Sequence, residues 1–283
     1  MIYYHVDVFS EKPLFGNGLT VVLLENEYGD ELLLKIAQEL KQYETVFVYP
    51  KENDCFPIRV FTVQEELPFA GHPIIGTAAV LHKLFYENNT QISLKIGLGQ
   101  RIIDIQSSKD ESAYSVIMNQ GKPEFLNSLN ENEAIELAAY FNLQKSDINF
   151  QYPIQIVSTG LPYILLPLHK NIENAKIVKI GLEKYIEKFL AKFVYLFNTE
   201  SLQCRCWDNT GLFEDVATGS AAGPLIAYLV KNGFKKNREL IKISQGKYIG
   251  RPSTISGWIS DSEPYEVFIE GKVAFFGEGE INI

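Results

Sequence analysis

Two stretches of similar sequence decide the fold: PFAGHPIIGTAA at residues 68–79 and DVATGSAAG at residues 215–223. Each carries a loop of small residues, a Gly-[Thr/Ser]-Ala-Ala step and then an apolar helical pattern. The glycines of the two steps, Gly76 and Gly219, lie about half a chain length apart. We expect a helix to begin at each step, with unbonded N–H groups and partial positive charge at its N-terminus. Two such termini facing each other would bind a small carboxylate.

Other matches along the chain share this offset and keep the same order. Residues 18–24 resemble residues 160–166, and residues 95–99 resemble residues 242–246. A repeat of this length predicts two pseudo-symmetric lobes. Few long helices stand among many short strands, which favours an α+β fold in which a sheet wraps around one central helix in each lobe. The predicted lobes span residues 1–121 and 122–276, and the C-terminal strand, 277–283, is expected to rejoin the first.

Helical periodicity predicts two further helices and the end of the helix at the first step. A helix is expected over residues 30–42 with Asp30 as its N-cap, and another over residues 131–141. The helix of the first step should run to about residue 86.

Composition excludes several classes of function. A net charge of −9 and a pI near 5.1 argue against nucleic acid or an anionic membrane as a partner. The N-terminus lacks the features of a signal peptide, and no apolar run is long enough for a transmembrane helix. Three cysteines in a long chain do not suggest a disulfide framework, so a cytoplasmic location is expected.

Three residues are candidates for chemistry, each with a structural alternative. Glu44 starts an apolar strand, where partial burial would suit a proton carrier; a surface carboxylate is the alternative. His72 lies at a predicted helix start and could carry a proton or simply close the loop. Asp215, in the matching loop, could orient a proton carrier or bind a substrate amine, or could be an ordinary N-cap.

The remaining polar signals are weaker. Thr77 and Ser220, at the two helix steps, could bind a carboxylate or cap their helices. Cys204 and Cys206 alternate on one face of a strand with no second ligand pair nearby, which favours core packing over a zinc site. No metal site is therefore expected.

The motifs together resemble those of the phenazine-biosynthesis PhzF-like family, which has the diaminopimelate-epimerase fold. The resemblance extends over nearly the whole chain in matching order. The matching segments are residues 6–9, 15–17, 44–47, 59–62, 66–73, 215–223, 245–246 and 250–253.

The resemblance implies two similar lobes, each a β-barrel-like sheet around a central helix, with the site in the cleft between them. It also implies cofactor-independent isomerase chemistry and a homodimer. It assigns the proton-moving role to Glu44, with support from His72 and Asp215. The substrate carboxylate is expected on Gly71, Gly219 and Ser220. Thr218 and Asn17, which lie in matching segments, complete the expected substrate-binding set.

The expected function is movement of a carbon-bound proton on a small carboxylated metabolite, such as a cyclic amino or hydroxy acid. A non-catalytic carboxylate-binding protein and a lyase or dehydratase using the same base are the alternatives. Gly18 and Val216 stand where the family usually has proline, which leaves the chemical groups in place but affects the shape of the pocket. The cysteine pair of the related epimerases is missing from both helix steps, so a two-thiol racemase is not expected.

Overall fold

The computed structural model describes residues 1–68, 71–111, 113–261 and 263–283, so Phe69 and Ala70 of the first stretch lie outside the described residues. The strands are β1 (Ile2–Val8), β2 (Asn17–Leu23), β3 (Glu44–Val48), β4 (Cys55–Phe61), β5 (Glu66–Leu67), β6 (Gln91–Leu98), β7 (Arg101–Lys109), β8 (Tyr114–Gly121), β9 (Glu124–Ser128), β10 (Gln155–Ser158), β11 (Pro162–Leu168), β12 (Phe193–Asn198), β13 (Cys204–Cys206), β14 (Ile241–Gln245), β15 (Ser253–Ile259) and β16 (Val267–Glu280). The α-helices are α1 (Asp30–Leu40), α2 (Gly71–Phe85), α3 (Glu131–Tyr140), α4 (Leu182–Glu187) and α5 (Gly219–Lys231). Short 3₁₀ helices cover Lys145–Asp147, Ile172–Asn174 and Lys247–Ile249.

The chain divides into two units. The first contains Met1–Asn119 together with Glu270–Ile283, and the second contains Gln120–Ile269.

The first unit is a closed barrel of eight strands. Their order is β16, β1, β2, β3, β4, β6, β7 and β8, and β8 in turn neighbours β16. Antiparallel pairing of β1 with β16 runs from Ile2 opposite Glu280 to Val8 opposite Val273. The last strand of the chain therefore lies beside the first. Closure removes the unpaired edges that an open sheet would expose.

Helix α2 forms the centre of this barrel. Its first twelve residues, from Gly71 to His82, are all buried. The helix contacts β1, β2, β3, β6 and β7. A helix that is apolar on every side must be surrounded by protein, and a closed sheet provides that environment. The unit is therefore built outward from the helix that the first stretch predicts.

The start of α2 differs from the prediction. The Gly-Thr-Ala-Ala step was expected to open the helix, but Gly76 is its sixth residue, and Thr77 is fully buried in the helix interior. Proline is tolerated in the first turn of a helix, so Pro73 lets α2 begin at Gly71. Gly71 is therefore the first residue of α2, as Gly219 is the first residue of α5. The prediction that Thr77 could cap the helix or bind a carboxylate at its start is wrong.

Gly76 instead allows α2 to approach the sheet closely. A Cβ atom at this position would lie 2.5 Å from Leu19 Cδ2 and 2.9 Å from Val8 Cγ2, both in the fully buried core. We predict that Gly76→Ala lowers the free energy of unfolding by about 1–3 kcal/mol, because a closely packed core cannot absorb an added methyl group without strain. Urea unfolding measures this change. Gly277→Ala, where a Cβ would meet nothing within 4 Å, is the matched control; an equal loss in both variants would contradict the packing argument.

Helix α1 covers the outer face of the barrel. Leu33, Ile36 and Ala37 pack with Val22 and Phe47 in one buried cluster. The helix lies within the predicted range, but its N-cap is Gly29, and Asp30 is the first helical residue. A carboxylate there still interacts favourably with the positive end of the helix. The N-cap prediction was wrong by one position.

The second unit repeats this plan with different strands. One sheet has the order β13, β12, β11, β10 and β9, and a second set pairs β14 with β15. A bridge between Gln203 and Ser244 connects the two sets. Helix α5 packs against β10, β11 and β15, and Ala221–Leu229 are buried. The α+β prediction, with a barrel-like sheet around a central helix in each half of the chain, is confirmed.

Helices α3 and α4 pack on the other face of the β9–β13 sheet. Leu137 and Ile186 belong to one buried cluster with Ile164, Leu166 and Leu196. Among the described residues, none of the helices is both long and apolar enough to span a membrane.

Candidate functional site

Glu44 stands at the end of the barrel where β2 and β3 run side by side. These strands are parallel, and Leu19 lies opposite Glu44. Glu44 is the first residue of β3, and the following four residues are buried. Its own side chain keeps 18% of its surface exposed. The strand therefore fixes a partly buried carboxylate at the rim of the barrel rather than on an open surface.

The first turn of α2 brings His72 to this carboxylate. His72 Nε2 lies 3.2 Å from Glu44 Oε2, and the imidazole side chain is 8% exposed. Glu44 Oε2 is a buried atom that accepts no hydrogen bond from the residues described in the structure. An oxygen in this position can accept a proton from a bound molecule, and the nearby imidazole can stabilise either protonation state. The structure thus pairs two of the three residues proposed for chemistry.

Gly71 directly precedes His72, and Asn17 lies on β2 two residues before Leu19, the residue opposite Glu44. Gly71 is the first residue of α2, where backbone N–H groups lack partners within the helix. Asn17 is fully buried as the first residue of β2, opposite Val8 of β1. The chain turns just before it at Gly16, whose φ of 72° favours glycine.

Gly18, which stands where the family usually has proline, lies beside polar side chains. A Cβ atom at Gly18 would lie 2.8 Å from Gln42 Oε1. His5 Nε2 and Asp7 Oδ1 would be 3.6 and 3.7 Å away. Gln42, two residues before Glu44, ends in a flexible amide, so a side chain at Gly18 would require this amide to shift.

In the second unit, the predicted residues gather at the start of α5. Thr218 is the N-cap, and Gly219 and Ser220 are the first two helical residues. The Thr218 side chain makes no capping hydrogen bond; its hydroxyl donates to Asp215 Oδ2 at 2.7 Å instead. The backbone N–H of Ala217 donates to Asp215 Oδ1 at 3.3 Å. Asp215 therefore organises the loop before α5 and is not the N-cap of the helix.

Two buried tyrosines reach this loop from the sheet, and sequence reasoning missed both. The Tyr163 hydroxyl of β11 lies 2.7 Å from Ser220 Oγ. The Tyr195 hydroxyl of β12 donates to Gln245 Oε1 at 2.9 Å. Burial raises the pKa of both phenols well above the usual value, so both stay protonated at neutral pH. Phe or Trp would have satisfied the same apolar pattern, so periodicity alone offered no signal for these hydroxyls.

Arg205 and Glu214 form a buried ion pair beside the loop. Arg205 Nε donates to Glu214 Oε1 at 2.8 Å and Nη2 donates to Oε2 at 2.6 Å. Arg205 Nη1 also donates to the backbone carbonyls of Ile172, Glu173 and Ala175. Since Glu214 directly precedes Asp215, this pair anchors one end of the loop.

Cys204 and Cys206 lie in the core, as the alternation predicted. Cys204 and Cys206 are 0% and 3% exposed, and burial raises the pKa of both thiols. We predict that alkylation of the folded protein at pH 8 modifies no more than Cys55, while all three thiols react after denaturation. Mass spectrometry counts the modified thiols. Rapid modification of a second thiol in the folded protein would contradict the structure.

The burial of Cys204 and Cys206 also determines how their contribution to the stability of the fold changes with pH. The folded-state pKa of each thiol lies above its value in the unfolded chain, about 8.5. Their contribution to stability is therefore complete below about pH 8.5. It is lost as the pH rises further, because the unfolded chain then releases protons that the folded chain keeps.

Comparison with known proteins agrees with this architecture. Residues 6–279 match the family model of the phenazine biosynthesis-like proteins. The trans-2,3-dihydro-3-hydroxyanthranilate isomerase of Pseudomonas chlororaphis is 29% identical, over 99% of this chain and 98% of the relative. An uncharacterised isomerase of Clostridium acetobutylicum is 30% identical, over 98% and 97% of the two chains. The solved structure of a predicted epimerase from Pseudomonas aeruginosa is 36% identical, has a TM-score of 0.91 and covers 100% and 99% of the two chains.

These relatives place the chain in the isomerase and epimerase class. Within that class, the chain belongs to the phenazine biosynthesis-like protein family. It is a PhzF-like isomerase.

Proposed function

We propose that this protein is a cofactor-independent isomerase that moves a carbon-bound proton on a small carboxylated metabolite, such as a cyclic amino or hydroxy acid. The observation that carries the proposal is the buried Glu44 Oε2 with His72 Nε2 at 3.2 Å. A single carboxylate that can both take and return a proton is sufficient for an isomerisation.

The chemistry follows from this arrangement. Glu44 as carboxylate removes a proton from a saturated carbon next to a double bond. The electron pair of the broken C–H bond forms a new double bond, and the original double bond shifts its electrons to its far carbon. That carbon takes the proton back from Glu44, so the product is an isomer of the substrate. His72 stabilises the carboxyl group in the protonation state that each step requires.

Backbone and hydroxyl groups would hold the substrate. The first N–H groups of α2 and α5 have no partners within their helices, and helix N-termini attract anions. We assign substrate binding to Gly71 and Asn17 in the first unit and to Thr218, Gly219 and Ser220 in the second. Asp215, already bonded to Thr218, would bind a polar group of the substrate.

The relatives suggest which compound to test first. The Pseudomonas chlororaphis protein is named for trans-2,3-dihydro-3-hydroxyanthranilate, a cyclic carboxylate. A shared fold does not by itself transfer a substrate, so the test needs related compounds beside it. The purified protein is incubated with this compound and with a panel of cyclic amino and hydroxy acids, and the products are identified by mass spectrometry and NMR.

The proposal predicts that at least one cyclic carboxylate is converted into an isomer of unchanged mass. Binding of these compounds without conversion would favour the non-catalytic alternative. A product lighter by one water would favour the lyase alternative. The family resemblance also implies a homodimer, which stays a proposal and is checked by light scattering of the eluted protein.

A further inference from the structure

Gln245, the last residue of β14, makes a hydrogen bond at every polar position of its amide. Its side chain is buried, and the residue is 1% exposed. Oε1 accepts from the Tyr195 hydroxyl at 2.9 Å and from the Thr218 backbone N–H at 3.1 Å. Nε2 donates to the Asp215 backbone carbonyl at 2.9 Å and to Thr218 Oγ1 at 3.0 Å. The amide therefore links β12 and β14 to the loop that opens α5.

The backbone contacts fix which way this amide points. A backbone N–H can only donate and a carbonyl can only accept, so Oε1 must face Thr218 N and Nε2 must face Asp215 O. Thr218 Oγ1 consequently accepts a hydrogen bond from Nε2. Its own proton is then directed to Asp215 Oδ2, 2.7 Å away. Asp215 Oδ2 accepts a hydrogen bond from this hydroxyl and Oδ1 accepts one from the Ala217 N–H, an arrangement that favours the carboxylate form.

We infer that Gln245 is a positioning residue: it holds the loop of residues 215–218 and keeps the Asp215 side chain as a hydrogen-bond-accepting carboxylate. The role rests on the proposed function, in which Asp215 contacts the substrate. Gln245 itself acts only through Thr218 and Asp215.

The residue after Gln245 supports the same role. Gly246 has a φ of 77°. A Cβ atom there would lie 2.2 Å from Arg251 O and 2.7 Å from Val216 O. These are backbone atoms that cannot move aside, so β14 ends in direct contact with the loop that carries Asp215.

Several ionisable groups near Asp215 are neutral or already paired. Tyr163, Tyr195 and Cys206 interact with its charge, and burial raises the pKa of all three, so they remain neutral near pH 7. The adjacent carboxylate of Glu214 is neutralised by Arg205 at 2.6 Å. The hydrogen bond from the Thr218 hydroxyl, directed by Gln245, therefore acts on Asp215 beside these groups.

The test measures the titration of Asp215 by NMR in full-length protein carrying ¹³C-labelled aspartate, with the signal assigned by its loss in Asp215→Asn. Gln245→Met removes the amide without adding charge, and Gln245→Glu keeps the shape while losing the Nε2 donor. Gln203→Met is the matched control. Gln203 is also buried, and its Nε2 donates to Ser244 O at 3.0 Å without touching the loop.

We expect both Gln245 variants to raise the titration midpoint of Asp215 by about one pH unit or more, since lost hydrogen bonds to a carboxylate favour its protonated form. Gln203→Met should leave it unchanged. An unchanged midpoint in folded Gln245 variants, or an equal shift in Gln203→Met, would overturn the inference. So would loss of the fold in both Gln245 variants with Gln203→Met intact, because Gln245 would then serve the fold alone.

Because this titration needs no turnover, it separates the inference from the proposed function. If the Gln245 variants shift the titration midpoint of Asp215 but the wild-type protein shows no isomerase activity, the proposed function is wrong and the positioning role stands. Where the wild type is active, the variants should also lose activity progressively toward acidic pH. A purely structural role would lower activity equally at every pH.

Discussion

Glu44→Gln is expected to abolish nearly all isomerase activity while the protein stays folded. The amide has the shape of the carboxylate but cannot accept a proton from carbon, and general acid–base transfer is worth about 10²–10⁴-fold in rate. The loss should appear in kcat, with KM changed much less, because the helix N-termini that would hold the substrate are untouched. Steady-state kinetics on the substrate identified in the panel measures both constants.

The control for this variant is Glu31→Gln. Glu31 is also a glutamate of the first unit, but its side chain is 84% exposed and it pairs only with the exposed Lys35, one helical turn away. Activity should be unchanged in this variant. If Glu44→Gln retained activity within a factor of about ten, Glu44 would not be the base.

The largest expected effect on stability comes from Arg205. Both side chains of the Arg205–Glu214 pair are 8% exposed, and Arg205→Ala would leave the Glu214 charge buried without its partner. Three backbone carbonyls would also lose a donor. Breaking a buried pair from one side costs about 3–5 kcal/mol, so we expect a loss of that size in urea unfolding.

Two comparisons make this prediction specific. Arg238→Ala breaks an ion pair whose side chains are 72% and 46% exposed, so its cost should stay below about 1 kcal/mol. Replacing Arg205 and Glu214 together with methionine should recover part of the loss, since no unpaired charge remains. A cost for Arg205→Ala no greater than for Arg238→Ala would contradict the account of a desolvated pair.

The sequence predicted those features that depend on local pattern. The two central helices, the sheets around them and the core position of the paired cysteines all follow from periodicity and repetition, while the family resemblance supplied the barrel-like form of the sheets. The start of α2 was misplaced because a Gly-Thr-Ala-Ala step resembles a helix opening wherever it stands. Pro73 is compatible with a start at Gly71, because its ring fits the first turn of a helix.

The hydrogen bonds that hold Ser220 and Gln245 in the second unit could not be predicted, because they join residues that are distant in sequence. Tyr163 meets Ser220 across 57 positions and Tyr195 meets Gln245 across 50. A tyrosine in a buried strand satisfies the apolar pattern through its ring, and only the folded sheet shows where its hydroxyl goes. By contrast, Glu44 and His72 lie in motifs that the family resemblance had already singled out, and the first unit places them 3.2 Å apart.

The central claim is that Glu44 carries a proton from one carbon of the substrate to another. The most direct measurement runs the reaction in D₂O with wild-type protein and Glu44→Gln and follows product mass and deuterium position. We predict a wild-type product that is an isomer of the substrate, in which any deuterium that Glu44 has exchanged with solvent is confined to the carbon that receives the proton, and no such product from Glu44→Gln. A dehydrated product, or isomerisation that continues at the wild-type rate in Glu44→Gln, would contradict the claim.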